Sequence, residues 1–241
     1  MTLKTKTTGS INKSSYQIIE YNVSITQQLV KLINVNDYLN NERLSKAVKF
    51  LSKKDKDLAA LYKADGVPPL WARRPGFTTL IKIILEQQVS LASGKAVYSK
   101  LEKNIKPFTP IRFEELGIAY LKSLGITRQK SSYCINIAAA ILDDKLDLKS
   151  LNNMNDDDAK EMLKRIKGIG SWTADIYLLM ALRRPDIWPS GDIALAKSMR
   201  KIKRLKSYPT YEKQVKIAKK WQPYRSVAAR MLWQHYINNK L

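Results

Sequence analysis

The apolar residues of this chain recur mostly with the 3.6-residue period of an α-helix. Between residues 77 and 85, Phe77, Leu80, Ile81 and Ile84 fall on one helical face. Comparable patterns predict further helices over residues 42–62 (with a charged break at 53–56), 90–101, 111–120, 129–142, 156–166, 171–182, 193–199, 211–220 and 225–235. Alternation typical of a strand is weak and confined to residues 16–25. The pattern therefore predicts a mostly α fold.

The predicted helix over residues 171–182 follows a tight turn, Gly168-Ile169-Gly170. Its second half is apolar on nearly every side, which is typical of a central, buried helix. The backbone amides after Gly170 would point out of a helix N-terminus and bind a phosphate without reading base sequence. The alternative is an ordinary glycine helix end followed by a new helix. Three basic side chains lie beside the turn: Lys164, Arg165 and Lys167.

Composition adds a strong positive charge to this picture. The 241 residues include 43 Lys and Arg against 21 Asp and Glu, a net charge of +22, and the 44% hydrophobic content is enough for a real core. Such a charge predicts a polyanionic partner, although it does not separate DNA, RNA and an anionic membrane surface. Residues 195–220 contain ten basic residues and only one acidic residue, Glu212. That run is either a phosphate-binding surface or a solvated face.

Several classes of protein are excluded. One cysteine, Cys134, and one histidine, His235, leave no material for an intrachain disulfide, a four-cysteine zinc site or a four-cysteine iron–sulfur cluster. We expect no cofactor. No run of about 18 apolar residues is present, so we expect no membrane partner. With no secretory signal, we expect a cytoplasmic protein, associated with the nucleoid in a bacterium or nuclear in a eukaryote.

Four ordered blocks carry a resemblance to a known family. Residues 167–174 read KGIGSWTA, and Asp192 follows Gly170 by 22 residues, directly after Gly191. Residues 83–90 read IILEQQVS, and residues 221–229 read WQPYRSVAA. Together they resemble the DNA-3-methyladenine glycosylase II family, within the helix-hairpin-helix Gly/Pro-Asp superfamily of base-excision DNA glycosylases. The resemblance covers residues 42–237.

The resemblance implies a two-lobed, helix-hairpin-helix core over residues 41–241, with the active cleft between the lobes. One lobe would span about residues 77–190, and the other would combine 41–76 with 191–241. Residues 1–40 are expected to form a basic flexible tail, with or without a DNA-binding role, and a possible short strand. They are too few for the complete N-terminal β-rich domain of larger family members.

The resemblance also makes Asp192 the catalytic residue. Cleavage of an N-glycosidic bond builds positive charge on the sugar, which a carboxylate stabilises, and a carboxylate also orients or deprotonates the attacking water. The alternative is that Asp192 only caps the helix that follows it. Superfamily members that cut the DNA backbone carry a Schiff-base lysine where this chain has Trp172. We therefore expect a monofunctional glycosylase without AP lyase activity.

A duplex hides its bases, so the target nucleotide must be flipped into a pocket. By resemblance Trp172 and Tyr224 line that pocket, where aromatic faces attract positively charged alkylated purines. Trp221 and Trp188 are weaker candidates, and Trp233 and Tyr177 are interpreted as core residues. Gln88 is expected to fill the gap left by the flipped base, unless residues 87–88 are merely a polar, solvent-facing junction. The predicted DNA contacts are Gln87, Gln88, Ser90, Lys164, Arg165, Lys167, Gly168, Gly170, Ser171, Thr173 and Lys197.

The leading hypothesis is a monomeric enzyme that removes alkylated purines of the 3-methyladenine and 7-methylguanine type from damaged double-stranded DNA. No metal is required, although a monovalent cation at the hairpin Gly168–Gly170 is compatible with the resemblance. Two alternatives stay open at this point. One is a glycosylase for oxidised or deaminated bases, and the other is a non-enzymatic helix-hairpin-helix DNA-binding module.

Overall fold

The computed structural model describes residues 38–239, and this part of the chain contains eleven α-helices and no β-strand. The prediction of a mostly α fold is confirmed. The predicted tail and the strand-like residues 16–25 lie outside the described residues. The helices are α1 (Asn41–Lys54), α2 (Lys56–Asp65), α3 (Phe77–Glu86), α4 (Leu91–Asn104), α5 (Pro110–Ser123), α6 (Arg128–Leu142), α7 (Asp156–Lys164), α8 (Ser171–Ile176), α9 (Ile193–Ile202), α10 (Tyr211–Ala218) and α11 (Arg225–Asn238).

Short polar side chains begin most of these helices. The charged break predicted at 53–56 is a real boundary, because Asp55 ends α1 and its carboxylate accepts the Asp57 amide at the start of α2. Ser90 caps α4, accepting the Ser93 amide at 3.2 Å. The predicted helix over 171–182 is regular only to Ile176 and continues as a π-helical turn, Tyr177–Ala181. Helix boundaries therefore follow local sequence closely, whereas the π turn does not.

The helices pack in two groups. The last helix, α11, packs against α1, α2 and α9, while α3 packs against α4, α6 and α8, α5 against α6, and α7 against α8. The lobe boundaries at residues 77 and 191 stay a prediction. The central position expected for residues 174–182 is confirmed, because almost all of their side chains are buried.

Two buried arginines link these elements. Arg230 of α11 is fully buried and donates to the carbonyl oxygens of Leu70, Ser226 and Leu179. Arg184 donates to three carbonyl oxygens in residues 151–154. A buried charge is costly unless it is hydrogen-bonded, so these contacts hold the neighbouring loops in defined positions. No helix within residues 38–239 is long and apolar enough to cross a membrane.

Candidate active site

Asp192 lies at the start of α9 and is 9% exposed. Its Oδ1 accepts the Leu195 amide at 2.9 Å and the Trp233 indole N–H at 3.1 Å, and its Oδ2 accepts the Trp172 indole N–H at 3.0 Å. Asp192 is therefore a helix cap and, at the same time, the centre of an aromatic site. Three uncharged donors stabilise the carboxylate in one orientation, and the helix N-terminus adds a favourable dipole.

Trp172 is the second residue of α8, and its ring is half-buried. Its indole N–H reaches the Asp192 carboxylate at the position where the resemblance places a lysine in strand-cutting relatives. An indole N–H is a donor only and has no amine chemistry. The contact therefore orients Asp192 without offering a nucleophile.

Trp233, interpreted from sequence as a core residue, is the second tryptophan at Asp192. It is 8% exposed, and a buried aromatic residue on an apolar helix gives no sequence signal that separates it from the core. Tyr224, the predicted pocket residue, instead packs edge-on against Phe50 with ring centroids 5.4 Å apart. Tyr224 directly precedes α11 and lies nine positions before Trp233, a rise of about 13.5 Å along the helix. Trp233 is therefore an additional aromatic residue at Asp192, and the role of Tyr224 in the pocket stays a prediction.

Trp221 and Trp188 lie in the core. Their ring centroids are 5.5 Å apart, Trp221 has no exposed surface and Trp188 is 4% exposed. The Trp221 indole N–H donates to Asp55 at 2.8 Å. Neither ring presents a face to a flipped base, which corrects their assignment as pocket candidates.

The two hairpin glycines differ in their physical roles. Gly168 has a φ of 111°, and a Cβ there would lie 2.5 Å from Cγ of Tyr133, so the backbone and the packing both require glycine. Gly170 has an ordinary φ of −86°, and a Cβ at this residue would point into open space. The open space beside Gly170 therefore allows a ligand to approach the backbone closely. Ile169 between them is buried.

Gln87 and Thr173 join the hairpin to α3. The Gln87 side-chain amide donates to Thr173 Oγ1 at 2.8 Å and to the Gly168 carbonyl at 3.2 Å, and Thr173 is 1% exposed. Thr173 is therefore buried against Gln87, which corrects its assignment as a direct DNA contact. The Gly168 carbonyl is also one of the candidate ligands for a monovalent cation, which stays a prediction.

A lysine that the sequence analysis missed holds the end of α3. The Lys130 ammonium donates to the carbonyl oxygens of Leu85 and Gln87 at 2.8 and 2.7 Å, and burial lowers the pKa of this lysine. Beyond it the chain exposes Gln88, Val89 and Ser90, and Gln88 has a left-handed φ of 53°. A recess of 280 Å³ adjoins this segment and is lined by Gln87, Gln88, Val89, Thr127, Gln129, Lys130 and Tyr133.

The predicted cationic contacts are mostly free at the surface. Lys164 is exposed and pairs with exposed Glu161, a kind of ion pair that contributes little. Arg165 and Lys167 are exposed, and Ser171 is half-buried at the start of α8. Lys197 is half-buried, with Nζ 5.8 Å from the Tyr236 ring centroid.

One member of the basic run is withdrawn from the surface. Lys203 pairs with Asp55 at 2.6 Å and with Asp57 at 2.7 Å. Burial raises the pKa of Asp55, but hydrogen bonds from Lys203 and Trp221 outweigh it, and the net shift is downward. The other residues of the run beyond residue 199 are exposed: Arg200, Lys201, Arg204, Lys206, Lys213, Lys216, Lys219 and Lys220.

Buried polar contacts hold the loop that carries Asp192. Asp175, 1% exposed, accepts the Ser190 amide at 2.8 Å and the Ser190 hydroxyl at 2.6 Å, and pairs with Lys160 at 2.7 Å. At the other end of the loop, the Arg225 guanidinium forms two hydrogen bonds of 2.9 Å with Asp186. The carboxylate of Asp192 is thus held by its loop as well as by its direct donors. No group of His, Cys, Asp and Glu suited to a metal ion occurs between residues 38 and 239.

Comparisons with known proteins identify relatives of this chain. The alkylbase DNA glycosidase-like protein mag2 of Schizosaccharomyces pombe is 30% identical over 78% of this chain and 92% of its own length. Bacillus subtilis YfjP is 28% identical over 73% of this chain, and the chain spans 64% of the length of YfjP. The structure of the S. pombe 3-methyladenine DNA glycosylase Mag1 in complex with abasic DNA superimposes with a TM-score of 0.70 at 25% identity, covering 80% of this chain and 97% of Mag1.

A family model for base-excision DNA repair proteins matches residues 81–223, more than half of the chain. The match includes the hairpin, the loop before α9 and Asp192 itself. The chain belongs to the HhH-GPD superfamily of base excision DNA repair proteins.

Proposed function

We propose that this protein is a monofunctional DNA glycosylase that hydrolyses the N-glycosidic bond of alkylated purines in damaged duplex DNA. The observation that carries the proposal is the Asp192 carboxylate, oriented by two tryptophan indoles and by the start of a helix. The names of mag2 and Mag1 support the same reaction class.

The Asp192 carboxylate acts on the sugar. As the glycosidic bond breaks, positive charge develops on the sugar ring, and a nearby preorganised anion stabilises it. The same carboxylate orients the attacking water and accepts its proton. A positively charged alkylated purine is already a good leaving group, so little acid assistance to the base is required. This requirement suits a chain whose only histidine, His235, binds Asp65 at 3.0 Å.

Trp172 makes the reaction hydrolytic. Cleavage of the DNA backbone after base release needs an amine that forms a Schiff base with the sugar. Trp172 occupies the corresponding position, and its indole N–H is committed to Asp192. The product is therefore an intact strand with an abasic site.

Duplex DNA binds across the hairpin. The amides after Gly170 have no side-chain cap and contact a phosphate, and the exposed side chains of Arg165 and Lys167 add charge beside them. Gln88 and Val89 enter the gap left by the flipped nucleotide. We propose that the enzyme acts as a monomer.

A panel of duplexes tests this function. Oligonucleotides that contain 7-methylguanine, 3-methyladenine, hypoxanthine, ethenoadenine or 8-oxoguanine are incubated with the full chain and then heated in alkali. We expect cleavage after alkali at the two alkylated purines, and intact strands without alkali. Release of 8-oxoguanine alone would overturn the assignment of alkylated purines as the substrate. Strand breaks without alkali would overturn the proposal that the enzyme lacks AP lyase activity.

A further inference from the structure

A third tryptophan extends the aromatic site at Asp192. The ring of Trp71 packs edge-on against Trp233, with centroids 6.4 Å apart and planes inclined by 68°. Trp233 in turn donates to Asp192. Trp71 lies in the segment between α2 and α3, before the residues matched by the family model, and its ring is only half-buried.

The backbone at Trp71 is strained. Its φ of 46° is in the left-handed region, which a bulky side chain rarely adopts. Such strain persists only where surrounding structure over-determines it, and it concentrates at functional sites.

The surrounding structure supplies that constraint from three elements. The Leu70 carbonyl accepts from buried Arg230 of α11 at 2.9 Å, and the Arg73 amide donates to the Met180 carbonyl in the π-helical turn at 2.9 Å. The Arg73 guanidinium also forms a two-point ion pair with Glu86 of α3, at 2.8 and 3.1 Å. The backbone on both sides of Trp71 is therefore held in place before any ligand binds.

The chemistry of the ring differs from that of its neighbours. The indole N–H groups of Trp172 and Trp233 are both used to orient Asp192. The Trp71 indole makes no hydrogen bond with any other residue between 38 and 239, and part of its surface is exposed. Its indole N–H is therefore not used by these residues, and the side chain is partly open to solvent.

We propose that Trp71 is a wall of the base-binding site and selects purines that carry a positive charge. This inference rests on the proposed glycosylase function and adds a specificity-determining residue to it. A tryptophan face is the best aromatic partner for a cation, and the attraction grows when water is excluded. A neutral base such as hypoxanthine gains less from the same face.

The test compares Trp71→Leu with Trp71→Phe in single-turnover excision of 7-methylguanine and hypoxanthine. We expect Trp71→Leu to lower 7-methylguanine release about tenfold and hypoxanthine release no more than about threefold, and Trp71→Phe to keep most of the selectivity. Affinity for a duplex with a tetrahydrofuran abasic analogue, which puts no base in the pocket, should not change in either variant.

Phe108→Leu is the matched control, because Phe108 is also half-buried and also makes an edge-on aromatic contact, but with Phe113 of α5. Its selectivity should equal that of the wild type. Equal losses for both bases in Trp71→Leu, or lost affinity for the abasic analogue, would overturn the assignment of Trp71, as would the same selectivity change in Phe108→Leu. If the wild type releases no base at all, the proposed function fails before the variants are compared. Thermal melting of each variant identifies any that fail to fold. If Trp71→Leu does not fold, Trp71→Met replaces it, with the same expected loss of selectivity.

Discussion

Two aspartates in this chain occupy the same kind of position and have different electrostatic surroundings. Asp55 caps α2 and Asp192 caps α9, and each accepts an indole N–H from tryptophan. Asp55 also binds the Lys203 ammonium, whereas every donor to Asp192 among residues 38–239 is uncharged. The charge of Asp55 is therefore neutralised by a lysine within the fold. The Asp192 carboxylate is held in one orientation, but no cation among these residues neutralises it. Only an anion of the second kind can stabilise positive charge on a substrate.

The tryptophans around the two aspartates differ in the same way. The Trp188 and Trp221 rings near Asp55 are buried, while Trp172 beside Asp192 keeps part of its surface exposed. The first group stabilises the core, and the second can meet a ligand. The same residue types thus serve packing in one region and chemistry in the other.

The largest expected effect comes from Asp192→Asn. Asparagine caps a helix as well as aspartate does, so the fold should be retained while the negative charge is lost. We expect base release to fall about a thousandfold. Single-turnover excision measures the loss, and affinity for the abasic analogue should stay near that of the wild type. Full activity in this variant would refute the role of the carboxylate.

The matched change Asp55→Asn should show the opposite pattern. It leaves Lys203 without one of its two acids in a largely buried site, which we expect to cost about 3 kcal/mol in the free energy of unfolding. Denaturant unfolding measures this cost. Excision under conditions where the protein stays folded should be unchanged, and a selective loss of activity would break the distinction between the two aspartates.

Asp55 also predicts a pH dependence of stability. Its pKa is lowered in the folded protein, so its contribution is present above the unfolded pKa of about 3.9 and is lost as pH falls toward and below the folded pKa. The wild type should therefore lose more stability than Asp55→Asn between about pH 5 and pH 3. Parallel pH profiles of unfolding for the two proteins would contradict this assignment.

The hairpin glycines should separate stability from binding. Gly168→Ala places a Cβ against Tyr133 at a left-handed φ, and we expect it to destabilise the protein by about 2 kcal/mol. Gly170→Ala meets no neighbour and should change stability by less than about 0.5 kcal/mol. It should nevertheless weaken duplex binding, which a fluorescence anisotropy titration measures. Unchanged duplex affinity in Gly170→Ala would argue against backbone contact with a phosphate there.

The smallest expected effect concerns the loop that carries Asp192. Asp175→Asn weakens the contacts to Ser190 and Lys160, and we expect kcat to fall about tenfold with little change in KM. Ser190→Ala keeps the bond from its backbone amide to Asp175 and should have a smaller effect. A change confined to thermal stability in Asp175→Asn would mean that the contact serves only the fold.

Much of the site was predictable from sequence because it depends on local signals. The Gly168 turn, the buried Ile169 and the helix that begins after Asp192 follow from residue types within a few positions of one another. The aromatic residues that contact Asp192 were harder to predict from sequence. Trp172 was identified through the resemblance, but Trp233 was interpreted as core, because its place on an apolar helix is the same for a core residue and for a pocket residue.

By itself, the sequence determined the helical fold, the positive charge and the presence of one aspartate after a glycine hairpin. These features depend on periodicity, caps and composition, which act over short distances along the chain. Only the tertiary structure decided which of the five tryptophans meet that aspartate. Trp172 and Trp233 lie 20 and 41 residues from Asp192 in the chain, and Trp71 reaches the site only through the strained segment held by Arg230 and Arg73. Contacts of this kind depend on how helices pack, and no local pattern encodes them.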